Sequence, residues 1–185
     1  MNLLIRNINI NDIDKLKKFH CGNNAMDLFL SKEAYINHIF GEGTTQLVVD
    51  EDENEVIAYF TLKCDMMVID DKEMYPEPRY IPCIEISRLA VQLKWQNGIK
   101  GIHLGEYLLG YIIEFIKINF SDKVGFRFIT LHAVLDRVDW YKKFEFVSGI
   151  QEQSVCDNFD DTIYMYLDVA DKSRIDEFLN ATNKI

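Results

Sequence analysis

Between residues 83 and 105 the chain runs through an apolar segment, a polar loop with glycines, and the start of an amphipathic stretch. A strand that feeds a glycine-bearing turn at a helix start makes an anion site. The first turn of a helix leaves about four N–H groups unpaired and carries about half a positive charge. Glycines let the backbone approach a phosphate closely. The candidate binding residues are Leu89, Ala90 and Val91 on the strand, then Gly98, Lys100, Gly101, Ile102, His103, Leu104 and Gly105 in the loop and first helical turn. Lys100 adds a positive charge. His132 sits alone in the apolar run Leu131-His132-Ala133 and reads as a core histidine. Arg88 flanks the binding strand, and its side chain is either structural or turned toward an acceptor. No metal site is expected: Cys21, Cys64, Cys83 and Cys156 form no C-x-x-C pair, and none lies near a histidine at ligand spacing. They read as buried or idle thiols in a reducing cytoplasm.

The elements that position these residues follow from the apolar pattern. Leu3 to Ile8 alternates as a strand, Asn9 to Asp12 supplies a cap, and Ile13, Leu16 and Phe19 begin a short helix. Asn24 is placed to cap a second helix carrying Met26, Phe29, Leu30, Ala34 and Tyr35, which Gly41 and Gly43 end. Gln46 to Asp50 and Val56 to Ile69 read as strands joined by an acidic turn containing Asn54. Asp70 to Pro82 holds all three prolines and reads as a loop. Cys83 to Val91 is a strand, and alternation would put Cys83, Glu85, Ser87, Leu89 and Val91 on one face. Leu104, Leu108, Leu109, Ile112, Phe115 and Ile116 mark a strong amphipathic helix. Phe126 to Val134 is a strand, Arg137 to Phe144 a short helix, and Thr162 to Val169 a last strand, with one more near Phe146. Ile175, Phe178 and Leu179 suggest a terminal helix. Strands before the middle helix form a meander and those after it a crossover, giving one mixed α/β (α+β) domain. Its expected bounds are residues 1–170, with a helix over 171–185 packed upon it.

Length and charge narrow the function. A chain of 185 residues suits one domain. No apolar run approaches the roughly 20 residues that span a bilayer, so no membrane partner is expected. Met1-Asn2-Leu3-Leu4-Ile5-Arg6 reads as a first strand and not as a signal peptide. The net charge of -10 disfavours general nucleic-acid binding and suits a cationic acceptor.

From Glu85 to Leu109 the chain resembles the acetyl-CoA motif of the GNAT N-acetyltransferases: a hydrophobic strand, Arg or Gln, two residues, Gly, one residue, Gly or Ala, then a helix. Anchored on Gly105 and Leu108-Leu109, Lys100 takes the Arg/Gln place, His103 the first Gly and Gly105 the second. Two of these places depart from the pattern, and the loop after Val91 is longer than the family's. An alternative register uses Gln96-Asn97-Gly98. Phe19-His20-Cys21-Gly22-Asn23, followed by Leu28-Phe29-Leu30, resembles the F-x-C-G opening of the toxin-like GNAT subfamily. Trp140-Tyr141-Lys142-Lys143-Phe144-Glu145-Phe146 resembles the family's F-Y-x-x-x-G-F segment, with Glu145 in the place of the glycine that caps the helix.

The resemblance implies a GNAT-type, mostly antiparallel sheet flanked by helices and splayed in the middle to hold acetyl-CoA as co-substrate. It implies acetyl transfer to a primary amine in a bacterial cytoplasm. Tyr141 matches the family tyrosine near the CoA sulfur and is the candidate general acid. Glu85 matches the base position of the histone-acetylating branch. Leu89 and Val91 would offer backbone groups to the pantetheine arm. The acceptor is left open between a small-molecule or peptide amine and the amino acid on charged tRNA. A tRNA acceptor would need a basic surface, for which Lys15, Lys17, Lys18, Lys63 and Arg79 are available. A non-catalytic CoA-binding module is the third reading, motivated by Lys100, His103 and Glu145. A homodimer and an antitoxin partner also stay open.

Overall fold

The computed structural model describes residues 2–69, 76–98, 101–149 and 162–182. β1 (Leu3–Asn7) leads through a 3-10 turn (Ile10–Asp12) into α1 (Ile13–Leu16). Asn9 and Asp12 form a reciprocal cap: the Asn9 side chain accepts from the Asn11 N–H at 2.9 Å, and Asp12 Oδ2 accepts from the Asn9 N–H at 2.9 Å. The Arg6 guanidinium grips the same buried carboxylate with bonds of 2.7 and 2.6 Å. α2 (Asn24–Leu28), a π turn (Phe29–Glu33) and α3 (Ala34–Phe40) follow. The cap of α2 is Asn23 and not Asn24, because Gly22 at φ +87 turns the chain one residue earlier. Asn23 Oδ1 then accepts from the Ala25 and Met26 amides. Gly41, left-handed at φ +74, ends α3.

β2 (Thr44–Asp50), β3 (Glu55–Ile69) and β4 (Arg79–Val91) form the expected meander. β4 begins inside the stretch expected to be loop, and Pro82 is part of it. The Pro82 carbonyl accepts from the Arg127 N–H at 2.9 Å. A residue's N and C=O point to the same side of an antiparallel strand, so the missing proline proton is not asked of β3. Then come α4 (Leu104–Phe120), β5 (Phe128–Val134), α5 (Val138–Lys142), β6 (Val147–Ser148), β7 (Thr162–Asp168) and α6 (Lys172–Thr182).

The strands make one sheet in the order β1-β2-β3-β4-β5-β7-β6. Every neighbouring pair is antiparallel except β4 and β5, which are parallel. This is the mixed, mostly antiparallel sheet that the GNAT resemblance implies. α4 covers one face, laying Leu108, Leu109, Ile112 and Ile116 on Phe60, Leu62, Ile84, Ile86, Ile129 and Leu131. The helices before β2 cover part of the other face, with Leu16, Phe19, Phe29 and Leu30 over Leu47, Val49, Tyr59 and Ala90. Each buried valine, leucine, isoleucine or phenylalanine among them contributes about 1.5–3 kcal/mol. A third cluster joins Met67, Ile81, Cys83, Phe128 and Tyr164. The terminal helix expected to pack on the domain forms as α6 and buries none of its residues, Phe178 being 65% exposed. No described helix is long and apolar enough to cross a membrane.

Candidate active site

The site is built where β4 leaves β5. The two strands pair only at Cys83–Phe128, Ile84–Ile129 and Glu85–Thr130. β4 continues to Val91 and β5 to Val134 without further pairing between them. A gap therefore opens inside the sheet immediately past Glu85 and Thr130. Buried backbone polar groups that lack partners cost free energy. An extended, amide-bearing arm laid along β4 would satisfy them, and pantetheine is such an arm.

A bulge decides which side chains face which way. Thr61 of β3 pairs with Arg88 and Leu62 pairs with Ile86, leaving Ser87 as the extra residue. Its Oγ donates to the Thr61 carbonyl at 3.3 Å. The bulge reverses the alternation, so the expectation that Cys83, Glu85, Ser87, Leu89 and Val91 share a face does not hold. Leu89 and Val91 turn toward α4, whereas Arg88 and Ala90 join Glu85 on the opposite face. The Gln92 N–H donates to the Ile57 carbonyl on β3 at 2.8 Å. Alternation then directs the Leu89 and Val91 backbone groups toward the gap and those of Ala90 toward β3. Ala90, predicted as a binding residue, thus has its backbone in the β3 ladder and its side chain in the core. The Val91 carbonyl is already taken, accepting from Gln96 Nε2 at 2.9 Å.

The loop after β4 is held to the F-x-C-G segment. Gln96 Nε2 also donates to the Cys21 carbonyl at 2.7 Å, and the Leu93 N–H donates to the His20 carbonyl at 2.8 Å. Phe19 anchors that segment by packing edge-on against Tyr59. Gly98 stands at φ +89, and a Cβ there would lie 2.8 Å from the Ile102 carbonyl oxygen, so the turn admits only glycine. Gly101 is left-handed at φ +83. Lys100 lies outside the described residues. Ile102 is exposed, Leu104 is buried in the core, and Gly105 opens toward Trp140. His103 caps α4 in ordinary extended backbone (φ -77, ψ 99), with no side-chain bond to the first-turn amides. Those amides are the helix-start donors available to a diphosphate.

Glu85 is a buried carboxylate on the rung where the gap begins. Burial pushes its carboxyl above the ordinary range, and nearby Lys63 opposes that shift. Lys63 Nζ lies 3.0 Å from Glu85 Oε2. Beside them on the same face, Asp65 accepts from Thr130 Oγ1 at 2.7 Å and from the Tyr164 hydroxyl at 3.2 Å. His132 meets the Tyr164 ring edge-on at 5.2 Å between centroids. Sequence reasoning missed the Asp65–Thr130–Tyr164 group and the pairing of Lys63 with Glu85. Two charged residues inside the apolar β3 run were the available signal, but the strand register had to be known to give them partners.

Tyr141 belongs to α5, which packs on the α4 side among Trp140, Phe144 and Phe146. Burial pushes its phenol up to about 12, partly offset by Arg137. Tyr141 and Glu85 therefore lie on opposite faces of the sheet. Glu145 occupies the place of the family's capping glycine and still adopts its left-handed conformation, at φ 66. Arg88 lies over the Phe29 ring, 4.9 Å from its centroid. Among the described residues no group of His, Cys, Asp or Glu is arranged to hold a metal. The Cys21 and Cys83 thiols are pushed up to about 11 by burial, and Cys156 lies outside the described residues.

No family model matches the chain. It is 29% identical over 143 residues to a tRNA-acetylating toxin of Mycobacterium tuberculosis (strain ATCC 25618 / H37Rv), covering 74% of this chain and 81% of that protein. Its fold matches AtaT complexed with acetyl-methionyl-tRNAfMet at a TM-score of 0.71 and 19% identity, over 96% of this chain and 99% of the other. It also matches AtaTR bound with AcCoA at a TM-score of 0.69 and 20% identity, over 90% of this chain and 93% of the other. These likenesses bear out the resemblance to toxin-like GNAT acetyltransferases read from the sequence.

Proposed function

We propose that the chain transfers the acetyl group of acetyl-CoA to the α-amino group of an aminoacyl-tRNA. The observation that carries this reading is the gap opening past Glu85 and Thr130, with the Leu89 and Val91 backbone on its edge. In this reading the first-turn amides of α4 hold the diphosphate, and the backbone of Leu89 and Val91 the pantetheine arm. Acetyl-CoA supplies an activated thioester carbonyl. The protein's own part is to position the amine and manage two protons. Glu85, a buried carboxylate of raised basicity, accepts a proton from the incoming ammonium. Tyr141 keeps its phenol proton at neutral pH and donates it to the departing sulfur.

The amine chemistry favours an α-amino group. Deprotonating a lysine-like amine of pKa near 10.4 at pH 7 costs about 4–5 kcal/mol, against about 1 kcal/mol for an α-amine near 8. The named activity of the Mycobacterium tuberculosis relative supports the same acceptor. A small-molecule amine is the second reading, and the charge pattern favours it. The net charge is -10, and three of the candidate basic residues are paired: Lys15 with Asp12, Lys17 with Asp14 and Lys63 with Glu85.

The deciding experiment offers charged tRNA and a panel of small amines to the protein with labelled acetyl-CoA, then identifies the acetylated product. Tyr141→Phe is expected to keep CoA affinity by calorimetry and to lose about 10²–10⁴ in turnover. Acetylated small amines with untouched tRNA would turn the assignment to the second reading. Binding without turnover of any acceptor would leave a CoA-binding module.

A further inference from the structure

Lys63 of β3 stands opposite Glu85 of β4, and Glu85 stands opposite Thr130 on the last rung before β4 and β5 part. The Lys63 ammonium is 3.0 Å from the Glu85 carboxylate. Lys63 is 41% exposed and Glu85 8%, so the ammonium is open to solvent while the carboxylate is buried. The other charged or titratable groups acting on Glu85 are Asp65 and His132. Asp65 is already engaged by Thr130 and Tyr164. A primary amine of this chain is therefore held against the candidate base at the apex of the gap.

We propose that Lys63 is itself an acceptor, acetylated on Nζ by the thioester bound in its own chain. This rests on acetyl-CoA binding in the gap. The Lys63 ammonium gives one proton to Glu85. The freed lone pair forms the N–C bond to the thioester carbonyl, the C–S bond breaks, and its electrons leave with sulfur, which takes the Tyr141 proton. The second N–H proton, lost as the amide forms, restores the phenol, and Glu85 returns its proton to solvent. Net, an ammonium and a thioester become an amide, a thiol and one released proton. The product has no charge at Lys63, so the ion pair is broken. The place beside Glu85 is then open to the ammonium of another acceptor.

The test incubates the full chain with acetyl-CoA and no acceptor, and maps acetylated lysines by peptide mass spectrometry over time. Lys17 and Lys117, paired with carboxylates on the surface, serve as internal standards for uncatalysed acetylation. Lys63 is expected to be labelled at least about ten-fold faster than either, because proximity converts the step to an intramolecular one. The rate should not change on diluting the protein, and Tyr141→Phe should bring it toward that of the standards. Lys63→Arg, which keeps a cation for Glu85, should melt as the parent does and lose the fast label. Labelling of Lys63 no faster than the standards, in protein that calorimetry shows to bind acetyl-CoA, would overturn this proposal alone. Absence of binding would remove the proposed function and this inference together.

Discussion

Replacing Gly98 by alanine tests whether the loop before α4 is a rigid cradle. Two costs arise. Gly98 is left-handed at φ +89, which costs a residue with a Cβ about 1–2 kcal/mol. The new Cβ would also lie 2.8 Å from the Ile102 carbonyl oxygen, far inside an ordinary contact. Forcing such an overlap costs about 1–3 kcal/mol more. Gly101 is the internal control: at φ +83 it has nothing within 4 Å of its Cβ position, so Gly101→Ala carries the first cost alone. The expected difference of about 1–3 kcal/mol corresponds to a Tm gap of roughly 2–12 °C for a domain of this size. Calorimetric titration with CoA is the second readout. Ile102 leads directly into the α4 cap, so pushing it aside displaces the first-turn amides, and Gly98→Ala should lose more CoA affinity than Gly101→Ala. Equal melting of the two variants would refute the rigid close approach. Unequal melting with equal CoA affinity would refute the loop's role in binding the diphosphate.

Glu85→Gln should melt like the parent in acid and above it at neutral pH. The native carboxyl is raised above its ordinary 4.5, so its contribution is complete below that value and is lost as pH rises through the native one. Melts from about pH 4 to about pH 8 check this, and parallel curves would contradict it. Asp12 behaves in the opposite sense. Arg6 and the Asn9 amide hold its carboxyl below the ordinary 3.8 despite burial, so its contribution is present above that value and is lost as pH falls through the native one. Asp12→Asn should cost about 1.5–3 kcal/mol at neutral pH in urea titrations, and a difference that persists unchanged in acid would count against the pairing. Glu145→Gly removes left-handed strain at φ 66 and should stabilise by up to about 1 kcal/mol, read as a shift in the urea midpoint.

The legible parts of the site were those written in contiguous residues. Gly98 and the helix start from Gly101 to Gly105 lie where the glycine and apolar pattern put them, and Tyr141 lies on the expected short helix. Strand β4 reached back to Arg79 through Pro82 because a parallel neighbour, distant in sequence, accommodates that proline. Alternation counted straight through Ser87 puts Glu85 on one face with Leu89 and Val91, and the bulge separates them. The partner of Glu85 lies 22 residues earlier on β3, and those of Asp65 lie 65 and 99 residues later, on β5 and β7. None of these pairings has a local signature.

Period and punctuation alone determined the succession of elements, since apolar spacing, capping residues and glycines act within a few residues of themselves. They also determined that a strand delivers its end to a helix N-terminus through a glycine turn. The tertiary structure alone decided which face each β4 side chain takes and where the gap opens. Both depend on how β3 and β5 register against β4. The extra residue at Ser87 exists only relative to Thr61 and Leu62, and the gap only relative to Thr130. Register is a relation between strands, settled by packing across the whole sheet, and no single segment contains it.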